Sequence, residues 1–75
     1  MVYRELFSAR LESLRTVHSL SMTSLGRSIG VTDEAIRLLE RGKRSPSFEA
    51  LLALADYFDV SLDYLTGRSD DPKRY

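Results

Sequence analysis

The chain has no cysteine, no tryptophan, one histidine, two prolines and four glycines, and its eleven basic side chains are cancelled by eleven acidic ones. Without cysteine there is no disulfide framework and no thiolate zinc site, the usual staples of a domain this small. His18 has no second histidine to share a metal with, so no metal and no cofactor are expected. No serine stands in a spacing that supplies it with a base, which removes nucleophilic catalysis and leaves no catalytic constellation: the chain does not read as an enzyme. The longest apolar stretch, Ala50 to Ala55, falls far short of the roughly 20 residues of a membrane span, and no charged-then-apolar leader opens the sequence. A cytoplasmic protein without a membrane partner is the expectation. At 75 residues there is room for one domain, which buries only about 60% of the surface its unfolded chain exposes. Stability has to come from packing.

The content is ordinary for a folded domain, with 43% hydrophobic and 29% charged residues. From Glu5 to about His18, Phe7, Leu11, Leu14 and then His18 or Val17 recur at helical spacing and predict a first helix. Ser21 is a candidate cap for a second, in which Met22, Leu25 and Ile29 share a face and Gly30 is the stop. Thr32 caps a third, from about Asp33 to Arg41, with Asp33 and Glu34 at its positive end and Gly42 closing it. A fourth begins near Ser45-Pro46, proline being tolerated in a first turn, with Ser47 as the alternative cap. Phe48, Leu51, Leu52, Ala55 and Phe58 are its expected buried face. Leu62 and Leu65 lie on a last short helix before Gly67. No segment alternates as a strand does and no repeat occurs, so the fold class is all-α. Residues 1–68 form the domain, and 69–75 a charged, flexible tail.

Met22 to Glu40 is the most informative stretch. Glycine in mid-helix costs roughly 1 kcal/mol against alanine, so Gly26 implies a close approach, read here as that of a second helix. Four residues on, Gly30 sits where the chain must turn sharply, and Val31 is placed to plug the angle between two helices whose core residues are Leu25, Ile36 and Leu39. This is the helix-turn-helix pattern.

Leu20-Ser21, Gly30-Val31-Thr32, Ile36, Glu40-Arg41-Gly42-Lys43-Arg44, Pro46-Ser47 and the run from Leu54 to Leu65 together resemble the lambda-repressor-like, XRE-type helix-turn-helix domains, over residues 7 to 68. The resemblance implies five helices around one core, a third helix that reads bases in the major groove, and a homodimer on a palindromic operator in double-stranded DNA. It also implies a structural ion pair between Arg15 and Glu40, and a dimer contact around the last turn, with Tyr57, Asp59, Val60, Leu62 and Tyr64 as candidates. The family commonly has glutamine where this chain has Met22, and a thioether cannot donate the amide's hydrogen bond.

The base-reading candidates are Thr32, Asp33, Glu34, Arg37 and Leu38, which would meet base edges or nearby backbone, with Arg37 also fitting a solvated helix residue; the phosphate candidates are Ser21, Thr23, Arg41, Lys43 and Arg44. Carboxylates accept from cytosine N4, and Leu38 suits a thymine methyl, yet both acids also fit helix-end electrostatics alone. The reading is a DNA-binding transcriptional regulator, a repressor in its simplest form. The alternative is a helix-turn-helix scaffold turned to a protein partner, as an antirepressor or antitoxin-like module with little DNA binding. The balanced net charge conceals a polarity: residues 10–44 carry seven basic and four acidic side chains, residues 45–75 three and six. The basic part would face DNA.

Overall fold

Hydroxyl caps set the starts of most of the helices. In the computed structural model, which describes residues 2–74, the chain forms α1 (Val2–Val17), α2 (Met22–Ile29), α3 (Asp33–Glu40), α4 (Phe48–Phe58) and α5 (Leu62–Leu65), and no strand occurs among the described residues. The Ser21 hydroxyl accepts from the Ser24 amide (3.0 Å), Thr32 from Ala35 (3.1 Å), Ser47 from Ala50 (3.1 Å) and Ser61 from Tyr64 (3.0 Å). Each satisfies an amide that the helix itself leaves open, a contribution of about 1 kcal/mol. The first helix starts about one turn earlier than its periodicity suggested, because nothing in Val2-Tyr3-Arg4 breaks it. Pro46 lies just before the Ser47 cap rather than within the first turn of α4.

Helix ends follow the same local logic. Gly30, at φ 83°, lets the Val31 amide reach back to the Gly26 carbonyl at 2.8 Å. Gly42, at φ 70°, terminates α3: its amide donates to Leu39 (3.2 Å) and that of Lys43 to Leu38 (3.0 Å), the paired bonds of a Schellman turn. Asp59 takes the corresponding left-handed position after α4, at φ 56°, a conformation asparagine and aspartate visit more readily than other side chains.

Phe7, Leu11, Leu25, Ile36, Leu39, Leu54, Ala55, Phe58, Val60 and Leu65 make one core, with Leu14, Leu20, Met22, Ile29, Val31, Leu51 and Tyr64 packed around it. Two expectations about faces need correction. Phe48 is 68% exposed and Leu52 38%: α4 turns Ala50, Leu54, Ala55 and Phe58 inward, which leaves Leu52 beyond the edge of that face, and Phe48, on the same side as Ala55 but two turns earlier, is the first residue of the helix. At the end of α1, Val17 is 75% exposed, while the solvent-accessible His18 ring packs on Phe58 with centroids 5.1 Å apart.

Gly26 does mark a close approach, though of the turn and not of a helix. A Cβ there would lie 2.6 Å from the Val31 carbonyl oxygen and 3.1 Å from that of Thr32. Between α1 and α3 the link is polar. Arg15 Nε lies 2.5 Å from Glu40 Oε2 and Nη2 3.0 Å from Oε1, while Nη1 donates to the Leu20 carbonyl at 2.9 Å. The Glu40 side chain is only 4% exposed. Hydrogen bonding to that carboxylate raises the Arg15 pKa above its ordinary value, against the opposing effect of burial. Buried Ser8 adds a second tie, donating to the Leu39 carbonyl at 2.6 Å.

After α5 the chain returns along α4. The Ser61 amide donates to the Pro72 carbonyl at 3.0 Å, Arg74 pairs with Asp56 at 2.6 Å and Asp59 at 3.5 Å, and Arg10 lies 3.6 Å from Asp70. Tyr75, the end of the expected tail, lies outside the described residues.

Two stability predictions follow from these contacts. Glu40→Ala strands a part-buried guanidinium and should lower unfolding free energy by about 3 kcal/mol, the lower end for a buried pair, whereas the double replacement Arg15→Met with Glu40→Leu should recover most of the loss. Gly26→Ala should destabilise by roughly 1–3 kcal/mol despite its better helix propensity, because the new methyl meets backbone that cannot rotate away. Urea denaturation of each variant at pH 7 measures both.

Candidate DNA interface

The outward face of α3 is defined by what the helix buries. Ala35, Ile36 and Leu39 point into the core, leaving Asp33, Glu34, Arg37 and Leu38 on the other side, the last two half-buried. Thr32 is exposed at the cap, where its oxygen accepts from Ala35 and its hydroxyl hydrogen is left to donate outward. Asp33 Oδ1 accepts from the Glu34 amide at 2.9 Å. Glu34 and Arg37 bind each other: Arg37 Nε donates to Oε1 at 2.9 Å, and Nη2 donates to Oε2. This hydrogen bonding holds the Glu34 carboxyl below its usual range, helped by the positive charges of Arg41 and Arg44, and it raises the Arg37 pKa.

The expected phosphate contacts fall into two groups. Arg41, Lys43 and Arg44 are all exposed on the turn that follows α3, and the Schellman hydrogen bonds fix the backbone that carries them. Ser21 and Thr23 are exposed at the start of α2, with Ser21 occupied as an acceptor by Ser24 and free to donate. Met22, beside them, packs against the core. A thioether at this position contributes packing rather than a polar contact, which is the physical content of its departure from glutamine.

The residues considered for dimer contact differ in exposure, and Val60 and Leu62 line one groove. Tyr57 and Leu62 are exposed, at 42% and 41%, but Val60 is buried at 6% as part of the core. Tyr64 is half-buried beneath the Arg10 guanidinium, 3.9 Å from its ring centre. Asp59 is exposed and lies beside Arg74. What sequence reading overlooked is Leu52, which with Leu62 lines an open groove flanked by Asp56, Asp63 and Arg74. Sequence spacing carries no clear signal for it, because α4 is apolar on most of its sides.

Among the described residues no group of three or more histidine, cysteine, aspartate or glutamate side chains is placed to hold a metal, and no helix is long and apolar enough to cross a membrane.

Comparison with known proteins adds to this geometry. A family model described as Helix-turn-helix matches residues 11–65. The chain is 36% identical over 67 residues to the uncharacterized HTH-type transcriptional regulator YobD of Bacillus subtilis, covering 89% of this chain and 60% of that protein. It is 39% identical over 59 residues to the HTH-type transcriptional regulator AnsR of the same organism, covering 79% and 51%. The chain thus spans between half and two thirds of these relatives' length. Among solved structures, the P22 c2 repressor in complex with a synthetic operator superposes with a TM-score of 0.80 at 33% identity, over 85% of this chain and 97% of that one. The restriction-modification controller protein C.AhdI from Aeromonas hydrophila gives 0.77 at 31%, over 87% and 98%. With the capped α2 and α3, the glycine-tight turn between them and the outward face of α3 in place, these likenesses establish that the chain belongs to the lambda-repressor-like, XRE-type helix-turn-helix family of transcriptional regulators.

Proposed function

We propose that this chain binds operator DNA as a homodimer and represses transcription, with α3 lying in the major groove. The observation that carries the reading is the continuity of one surface: the exposed residues of α3 run directly into the basic turn of Arg41, Lys43 and Arg44. Such a surface separates two tasks. Thr32, Asp33, Glu34, Arg37 and Leu38 face where base edges would lie, while the flanking cations and the Ser21 and Thr23 hydroxyls suit phosphates, which fix register without reading sequence. The operator-bound state of the P22 c2 repressor supports the assignment by similarity.

A dimer would be built on the side of α4 and α5. Leu52 and Leu62 are exposed apolar residues beside Asp56 and Asp63, and pairing them across a two-fold axis would remove apolar surface from water on both copies. Two copies of α3 would then address successive turns of one face of the duplex, so the operator would be palindromic with half-sites one helical turn apart. Regulation by a further protein partner is compatible with this arrangement.

Selection of binding sites from random duplexes at low salt should enrich a palindrome. On that site, Lys43→Ala with Arg44→Ala should weaken binding and lower the salt slope of log K by about 2, roughly one for each lost phosphate contact, as read by fluorescence anisotropy across a salt series. An unchanged slope would remove the basic turn from the interface. Leu52→Asp with Leu62→Asp should shift the protein towards monomer in sedimentation equilibrium and leave half-site binding intact. A dimer that persists would move the interface elsewhere.

A further inference from the structure

The two oxygens of Glu34 and the side edge of Arg37 are joined in a way that leaves a particular part of the guanidinium free. Arg37 has five N–H groups in one plane. Nε–H and one hydrogen of Nη2 form the side edge, and both are directed at Glu34, the first to Oε1 at 2.9 Å and the second to Oε2. What remains in parallel is the end fork, one hydrogen each from Nη1 and Nη2. That fork matches the O6 and N7 acceptors of guanine in the major groove. The pair sits on the outward face of α3, with Arg37 37% and Glu34 58% exposed at the side chain. Asp33, its acidic neighbour, accepts from the Glu34 amide and makes no hydrogen bond to Arg37.

We infer that Glu34 and Arg37 act as one reading unit, in which Glu34 is a positioning residue that holds the guanidinium by its side edge and Arg37 presents its end fork to a guanine. This rests on the operator-binding reading and deepens it by naming the base recognised and the residue that recognises it. It also gives Glu34 a role other than accepting from cytosine. Three physical consequences support the assignment. The exposed pair biases the long Arg37 side chain towards one arrangement before DNA arrives, which reduces the rotamer freedom lost on binding. A carboxylate engaged by its own cation repels neighbouring phosphates less than a lone one would, so an acid in the first turn of α3 is compatible with a nucleic-acid surface. And an arginine held on the helix face is restrained from swinging to any nearby phosphate, the contact that carries no sequence information.

The test takes the enriched duplex and replaces each base pair in turn. It then compares wild type with Arg37→Ala, Arg37→Lys, Glu34→Gln and Glu34→Ala by anisotropy. For wild type, replacing one G·C pair per half-site should weaken binding roughly 5- to 150-fold, the range for a bidentate arginine–guanine contact. Arg37→Ala and Arg37→Lys should reduce the penalty at that pair to less than about threefold, because neither retains the planar fork. Glu34→Ala should lose discrimination at the same pair while binding unrelated DNA more tightly, and Glu34→Gln, which keeps the length and one acceptor, should retain part of it. Circular dichroism should show every variant folded, since both side chains stand outside the core. The inference is overturned if Arg37→Ala leaves all base preferences unchanged, or if the Glu34 variants erase preference at a different base pair, which would make Glu34 an independent reader. If wild type enriches no site, the operator-binding reading fails and takes this inference with it; enrichment without an Arg37 effect sinks the inference alone.

Discussion

The carboxylate of Glu40 is the constraint around which this small domain is arranged. With its side chain only 4% exposed, it has little access to water, and Arg15 is delivered to it from α1 with two nitrogens in register. A pair of this kind is weak evidence for net stability, since desolvation offsets much of the attraction, but it is strict about geometry because either half alone is costly. The Ser8 hydroxyl reaches the Leu39 carbonyl one residue earlier, so the end of α3 is held from α1 at two successive positions. The Schellman turn and the exposed cations at residues 41, 43 and 44 begin where that fixation ends. A basic turn on an otherwise ordinary surface loop acquires a defined position in this way.

At its other end α3 is held by contact between backbones. Gly26 admits the Val31 carbonyl to a distance that a Cβ would not tolerate and that of Thr32 to one that would be tight, so α2 and α3 meet closely with Val31 packed near their junction. Pinned at both ends, α3 has only one face left for solvent. The chain's zero net charge then takes on a direction. Arg41, Lys43 and Arg44 are exposed after α3, whereas Asp56, Asp59 and Asp63 are exposed on α4, its cap and α5, where Arg74 approaches the first two. Of the two acids in the first turn of α3, Glu34 is compensated locally by Arg37.

Much of the local architecture was legible because it depends on near neighbours. A hydroxyl that accepts an amide three residues on, and a glycine that enters positive φ after a helix, are properties of a few adjacent residues. Ser21, Thr32, Gly30 and Gly42 therefore marked their boundaries directly, whereas two serines competed for the start of α4 and the cap is the second, Ser47. The fourth helix resisted such reading for a definite reason. Ala50, Ala53 and Leu54 extend the arc of Phe48, Leu51, Leu52, Ala55 and Phe58 until the helix is apolar on nearly every side, and an apolar surface that wide does not say which part turns inward. The pattern therefore did not reveal that Leu52 and Phe48 are exposed, and the burial of Val60 follows from the Asp59 turn that sends it into the core.

The sequence by itself determined an all-α chain, the order and approximate limits of five helices, and the turn at Gly30, since these follow from hydrogen bonds and steric limits acting over three or four residues. Only the tertiary structure decided which face of α4 is buried, what Gly26 lies against, and where the guanidinium of Arg37 is held. Those outcomes depend on which surfaces meet once the helices pack, and on which side chain reaches which partner in three dimensions, where spacing along the chain allows more than one solution.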